Sequence, residues 1–114
     1  MYSRQRRAKY GNKRGAVDGM MFDSRRESAR YQELCLMQSK GLISCLRRQV
    51  KFELIPKSKD ERAVSYFADF VYTENDRVIV EDVKSSATAK DKSYILKRKL
   101  FKYRYPNHVF REII

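Results

Sequence analysis

Two runs of β-branched and aromatic residues, 64–73 and 77–84, constrain the fold of this chain more than any other stretch. The polar residues between them include Asn and Asp at positions 75–76, which tolerate the positive φ angles of a two-residue hairpin turn. The pattern therefore predicts an antiparallel β-hairpin. Counting back from that turn places Asp69 directly opposite Asp82.

The two-residue alternation of β-strands predicts which side chains of the hairpin share a face. The face that includes both acids holds, in chain order, Phe67, Asp69, Val71, Val78, Val80, Asp82 and Lys84. Two carboxylates and an ammonium group therefore meet on an otherwise apolar surface. The alternation turns Glu81 to the opposite face, where we interpret it as a supporting or structural residue.

Asp69 and Asp82 should repel each other, because like charges directly opposite in an antiparallel pair are destabilising. A divalent cation removes the conflict, and Mg²⁺ suits a site with one or two carboxylates that leaves positions for water and substrate phosphate. Lys84 could then hold the attacking water or stabilise charge on the phosphate. The alternative is a pair of edge carboxylates with Lys84 as their salt-bridge partner. It is disfavoured because both faces of both strands carry apolar residues.

An acid on one strand followed by an acid-x-Lys triplet on the next resembles the PD-(D/E)xK nuclease superfamily. Asp69 matches the first acid, and Asp82-Val83-Lys84 matches the triplet. The sequence departs from the superfamily pattern at Ala68, where a Pro usually precedes the first acid, and at Ser85, where many members have Gly.

Short phrases along nearly the whole chain also resemble a family of small phage proteins described as Holliday-junction-resolvase-like. The phrases are Lys9-Tyr10-Gly11-Asn12-Lys13, Phe22-Asp23-Ser24 with Glu27, Ala68-Asp69-Phe70, Glu81-Asp82-Val83-Lys84 and Leu96-Lys97-Arg98-Lys99-Leu100. The resemblance implies a metal-dependent DNA endonuclease. It implies Mg²⁺, or Mn²⁺ in its place, bound by Asp69 and Asp82 with the carbonyl of Val83, while Lys84 assists the nucleophile.

A helix is predicted over residues 24–40, because a Gly follows it and Ser24 with Glu27 forms a capping box. In that role Glu27 returns to the backbone of Ser24. Glu27 also shares a helix face with Tyr31 and Leu34, so it lies on the inward side near the helix end. The resemblance implies that a Glu from the first helix completes the metal site, holding a second ion or a water. The two roles are not exclusive, and both stay open.

Basic residues outnumber acidic ones by 26 to 14, for a net charge of +12. Such an excess favours a polyanionic partner through phosphate contacts and counterion release, with ribosomes or an acidic protein surface as alternatives. Residues 1–20 are predicted to form a basic arm ahead of a single nuclease-like domain over 21–114. The predicted DNA-binding residues lie in this arm and on a second helix: Arg6, Arg7, Lys9, Lys13, Arg14, Lys92, Lys97, Arg98 and Lys99. A solubilising tail and a solvated helix face are the alternatives for these two groups.

The remaining pattern predicts a strand region over 42–55, a second helix to about residue 105 and a last edge strand over 108–114. Gln49 and Lys51 point together and could line an active-site cleft. The elements together predict an α/β domain with a central four-stranded mixed sheet flanked by helices, in the order α-β-β-β-α-β. The same core is implied by the nuclease resemblance.

No apolar run approaches about 20 residues, the length that crosses a bilayer, and the N-terminus lacks the apolar core of a signal peptide. We therefore expect an intracellular protein with no membrane partner, in the host cell cytoplasm if a phage encodes it. Cys35 and Cys45 lack zinc-site spacing and are interpreted as reduced packing residues. His108 is the only histidine, so a histidine-based catalytic triad has little support.

The leading hypothesis is an Mg²⁺-dependent endodeoxyribonuclease that acts on branched DNA, such as Holliday junctions, in phage recombination or genome processing. Symmetric cutting of two strands needs two active sites, so we expect a homodimer. Two other classes stay open: a non-catalytic, basic nucleic-acid-binding accessory protein, and a phage interaction protein that targets an acidic host factor. Asp69, Asp82 and Lys84 favour the enzyme, because a binding module gains nothing from acids in a basic cleft.

Overall fold

The structure, a computed structural model, describes residues 15–17, 20–22 and 24–114. Its elements are strands β1 (Gly15–Val17) and β2 (Met20–Phe22), helix α1 (Arg25–Ser39), strands β3 (Ser44–Ile55), β4 (Val64–Glu74) and β5 (Arg77–Val83), a 3₁₀ turn (Thr88–Lys90), helix α2 (Lys92–Arg104) and strand β6 (Val109–Ile113). Four strands form one sheet in the order β3-β4-β5-β6, and β6 runs parallel to β5 while the other pairs are antiparallel. The predicted α/β fold with a four-stranded mixed sheet and two helices is confirmed.

The first two strands form a separate antiparallel ribbon in which Gly15 faces Phe22. The sequence predicts only a turn over residues 17–20, because strands of three residues are too short to show alternation. The predicted boundary between arm and domain, at 20/21, falls inside β2. The five predicted DNA-binding residues of the arm lie outside the described residues.

Helix α1 starts and ends where its capping residues predict. The backbone N–H of Glu27 donates to the Ser24 hydroxyl at 3.2 Å, which satisfies one of the free donors of the first turn. Lys40 caps the other end, and Gly41 follows with φ of 75°, the left-handed region that glycine enters without steric cost.

The β4–β5 hairpin has the predicted two-residue turn. Asn75 and Asp76 have φ angles of 52° and 63°, and Glu74 pairs with Arg77. Both values suit the turn type whose twist matches that of the flanking strands. The predicted register is therefore confirmed at the turn end of the hairpin.

The two helices lie on opposite faces of the sheet, and each covers its own core. Leu34 of α1 packs with Phe70, Tyr72 and Ile79. Phe101 of α2 packs in a second cluster whose other buried members are Leu54, Tyr66, Ala68, Val71 and Val80. Because α1 covers Ile79 and α2 covers Val80, successive residues of β5 face different helices, as strand alternation requires.

Alternation breaks on β4 near Asp69. Tyr66 and Ala68 pack in the α2 core together with Val71, whereas Phe67 is 55% exposed. The prediction that Phe67 and Val71 share a face is therefore wrong. The neighbouring strand is irregular at the same level, because Gln49 has a φ of 51°, which reverses the local pleat.

A second irregularity affects one cysteine. Cys45 has a φ of 57° and lies where the β3–β4 register shifts between Ser44 and Arg47. Its side chain is exposed, so the prediction that it packs in the core is wrong, whereas Cys35 is half-buried. Neither cysteine forms a disulfide. Among the described residues, no helix combines the length and the apolar character needed to cross a membrane.

Candidate active site

The sheet splits next to Asp69. The last pair of the β4–β5 ladder is Phe70 with Glu81. Beyond it β4 continues alongside β3 alone, while β5 pairs with β6 as far as Val83. The Asp69 carboxylate fills the gap, because its Oδ2 accepts a hydrogen bond from the Val83 backbone N–H at 2.8 Å. Asp69 and Asp82 thus hold neighbouring positions at the split, but the predicted direct strand pair between them does not form.

Asp82 is a buried carboxylate with an incomplete set of partners. It is 2% exposed, and among the described residues no hydrogen-bond donor reaches its Oδ2. The Lys84 ammonium lies 3.4 Å from that oxygen as an ion-pair partner. Burial, followed by the charge of Asp69, raises the pKa of Asp82 to about 7 against the opposing effect of Lys84. A cation at this carboxylate would stabilise its ionised form.

Lys84 is held between an acid and an aromatic ring. Its Nζ lies 4.6 Å from the centroid of the Tyr94 ring, within cation–π range. The Tyr94 hydroxyl donates to Glu112 of β6, which fixes the ring from its other end. Sequence reasoning missed Tyr94, because an aromatic residue in the first turn of a helix is normally a packing residue.

Glu27 enters the site from the first turn of α1 and is 5% exposed. The Gln49 side-chain amide donates to Glu27 Oε2 at 3.1 Å and to Asp69 Oδ1 at 3.3 Å. Arg48 Nη2 lies 3.9 Å from the same Glu27 oxygen. Gln49 therefore joins the helix to the split in the sheet, whereas Lys51 takes no part in these contacts. The sequence suggests that Gln49 and Lys51 both line the active-site cleft. The structure places Gln49 against Glu27 and Asp69.

A cavity of about 250 Å³ opens at this point, lined by Ser24, Arg26, Glu27, Asp69, Val83, Lys84, Ser85 and Thr88. It shares Lys84, Ser85 and Thr88 with a larger cavity of about 710 Å³ that leads to the start of α2. Asp82 does not line either cavity and lies behind Lys84 and Val83. The four predicted catalytic residues are thus gathered at one concave site, three of them on its surface.

The neighbouring carboxylates of Asp69 and Asp82 offer oxygen atoms, the ligand type that hard cations take. Within the described part of the chain, no three His, Cys, Asp or Glu side chains come close enough to hold an ion together. The predicted ligands Asp69, Asp82 and Glu27 therefore do not form a preorganised three-residue metal site. Asp82 Oδ2 has Lys84 as its ion-pair partner at 3.4 Å, so a metal ion bound to this oxygen would compete with Lys84.

The predicted DNA-binding residues of α2 differ in their surroundings. Lys92 and Lys99 are exposed, and Lys97 is half-buried. Arg98 lies 3.6 Å from Glu112 and 5.8 Å from the Tyr94 ring centroid, so it supports the residues around Lys84. A direct DNA contact by Arg98 would compete with this ion pair.

The two roles of Glu27 can be separated by mutation. Ser24→Ala should lower the free energy of unfolding by about 1 kcal/mol, because the cap to the Glu27 N–H is lost, with cleavage activity nearly unchanged. Glu27→Gln keeps the backbone cap, and the predicted nuclease activity should fall about 10-fold to 100-fold in it, the range for a group that supports a metal site. Urea unfolding and a DNA cleavage assay measure the two effects. Unchanged activity in Glu27→Gln would show that the Glu27 carboxylate is not needed for the reaction.

The fold and the cavity define a small, basic α/β protein with paired carboxylates and a lysine at the split of its sheet. The chain belongs to the family described as protein of unknown function (DUF1064), whose family model matches residues 7–113. Comparison with curated proteins found no match, and comparison with solved structures found none. The family description states no activity, so function is argued from the site.

Proposed function

We propose that this chain is a metal-dependent DNA endonuclease of the PD-(D/E)xK type that hydrolyses phosphodiester bonds in branched DNA. The observation that carries the proposal is the buried Asp82 carboxylate, which lies beside Asp69 and Lys84 next to a cavity that both of these residues line. Two neighbouring carboxylates cost stability unless cations offset their charges, and Lys84 supplies one positive charge for the two. The net charge of +12 supplies the attraction for DNA.

Each residue of the site has a role in this proposal. Mg²⁺ or Mn²⁺, held by Asp69 and Asp82, would polarise the phosphate and lower the pKa of a bound water. Lys84, kept in place by Asp82 and the Tyr94 ring, would donate a hydrogen bond to the attacking water or to the phosphate oxygen that gains charge. Glu27 lines the same cavity and would hold a further water or ion. Gln49 holds the Glu27 and Asp69 carboxylates close to each other by donating a hydrogen bond to each.

The test is cleavage of labelled four-way-junction and linear duplex DNA with Mg²⁺, Mn²⁺ or EDTA. We expect the parent protein to cut the junction in either metal and not in EDTA. A control variant is Asp60→Asn, which neutralises an exposed acid in the loop between β3 and β4 and should cut DNA like the parent. Equal cutting of linear duplex would retain the nuclease and reject the preference for branched DNA. Absence of cutting in every metal would reject the enzyme.

Paired cuts at a junction need two active sites, so we also propose a homodimer that acts on DNA in the cytoplasm, which is the host cell cytoplasm if a phage encodes the protein. A single domain offers one cavity of the described composition among residues 24–114. Gel filtration with and without junction DNA measures the assembly. A monomer under both conditions would contradict the dimer and leave the cleavage proposal standing.

The second candidate is a non-catalytic DNA-binding protein. It is favoured by the finding that, among the described residues, no three acidic, histidine or cysteine side chains are positioned to hold an ion. It predicts salt-sensitive DNA binding that is as tight or tighter when Asp82 is replaced by Ala, because a negative charge is removed from a basic surface. Binding without cleavage by the parent protein would favour it.

A further inference from the structure

Beyond the site, the described elements leave one face of β3 and β4 open. Past the split, β3 and β4 continue as two strands, and α2 covers one side of them through ring contacts such as Phe52 with Phe101. On the other side, Lys51 and Phe67 are exposed. The open face begins next to the carboxylates, because Phe67 precedes Asp69 by two residues on β4.

Phe67 is the large apolar residue on this open face. It is 55% exposed, and the register places it opposite Lys51. Two residues of extended strand span about 7 Å, which is the distance from the Phe67 Cα to the Asp69 Cα. Stacked nucleotides of one DNA strand are about 3.4 Å apart. A base that contacts Phe67 would therefore lie within about two nucleotides of a phosphate at the cavity.

The chemistry of this pair of residues indicates which part of DNA it fits. A flat, exposed ring can stack on the π-face of a base, and an adjacent ammonium can pair with the phosphate of the same nucleotide. In an intact duplex both faces of each base are already covered by neighbours. A base that lacks a stacking neighbour, as at the exchange point of an open branch, a bulge or a flap, can offer a face to Phe67.

We propose that Phe67 and Lys51 form a binding site for an unpaired nucleotide next to the cleaved phosphate. The site would make an unpaired base at a branch point the feature that the protein recognises. This inference rests on the proposed nuclease function and adds the structural feature of DNA that selects the substrate.

The experiment measures binding in EDTA, where cleavage cannot proceed. The probes are a fluorescein-labelled duplex with one unpaired base and a fully paired duplex of equal length, and fluorescence anisotropy gives the Kd of each. Phe67→Ala should weaken binding of the first probe about tenfold, the typical value for one stacked base, and change binding of the second little. Phe67→Trp should preserve the preference, whereas Phe67→Leu, which keeps apolar area without a ring, should lose it.

The control variant is Leu36→Ala on α1, because Leu36 is 56% exposed, nearly the same as Phe67. It should bind both probes like the parent. A tenfold loss on both probes with Phe67→Ala, or full preference with Phe67→Leu, would overturn the stacking site. A parent that cuts DNA but shows no Phe67 effect rejects this inference alone. A parent that neither binds nor cuts DNA rejects the proposed function as well.

Discussion

Replacing Asp82 with Asn should lower metal-dependent DNA cleavage by about 10²–10³-fold, the loss expected when one main source of transition-state charge stabilisation is removed. The same substitution should make the metal-free protein more stable at neutral pH. Asn preserves the size of the side chain but carries no charge, so it removes the repulsion from Asp69 and the cost of burying an ion. Opposite effects on activity and stability are typical of a residue that is kept for function.

The pH dependence of stability follows from the raised pKa of Asp82, which is about 7 in the folded protein and about 3.9 in an unfolded chain. Between these values the folded state binds more protons than the unfolded state, so the contribution of Asp82 to stability is present at low pH and is lost as pH rises to about 7. At pH 8 we expect the free energy of unfolding of the Asn variant to exceed that of the parent by about 2 kcal/mol. The difference is smaller than the pKa shift alone would give, because Lys84 loses its partner in the variant.

Urea unfolding in EDTA at pH 4.5 and pH 8 measures this difference. The stability gap between Asp82→Asn and the parent should widen from the lower to the higher pH, and Mg²⁺ should narrow it by stabilising only the parent. Asp60→Asn, at an exposed position, should show no such change between the two pH values. If the parent and the Asn variant had equal free energies of unfolding at pH 8 in EDTA, the ionised Asp82 would be fully stabilised by its protein partners.

The local parts of the fold were predictable because short-range chemistry determines them. Asn75 and Asp76 tolerate the positive φ angles of the turn, so the hairpin register followed from two residues. Ser24 accepts a hydrogen bond from the N–H three residues on, which is why the start of α1 could be predicted, and Asp91 caps α2 in the same way. The positions of Asp82 and Lys84 on one strand face then required only alternation.

The detailed site could not be predicted because it depends on where strands separate. Alternation assumes a continuous ladder, and the ladder between β4 and β5 ends at Phe70. The Asp69 carboxylate then takes the Val83 N–H. Gln49 contacts Glu27 and Asp69 from a backbone conformation with positive φ, which the sequence does not predict for a Gln. These contacts are between residues 14 to 22 positions apart, so no local pattern indicates them.

Replacing Glu81 with Ala should lower the free energy of unfolding by about 3 kcal/mol, the low end for a broken buried ion pair, because Arg30 would lose its buried partner and keep the exposed Glu33. Glu81 is fully buried on the α1 face of β5. Arg30 donates to its two carboxylate oxygens at 2.8 Å and 2.6 Å, and the Tyr72 hydroxyl donates to one of them. This confirms the predicted opposite face for Glu81. Since small domains have about 5–15 kcal/mol of stability, this loss should clearly lower the urea concentration at the midpoint of unfolding.

A double variant, Arg30→Met with Glu81→Leu, keeps this test informative if the single variant does not fold. Removing both charges avoids an unpaired buried ion, so the double variant should unfold at clearly higher urea concentration than Glu81→Ala. Because Glu81 lies on the opposite face from Asp82 and does not line the cavity, the folded double variant should retain DNA cleavage. Loss of cleavage with a native fold would mean that Glu81, and not only its neighbour Asp82, takes part in the reaction.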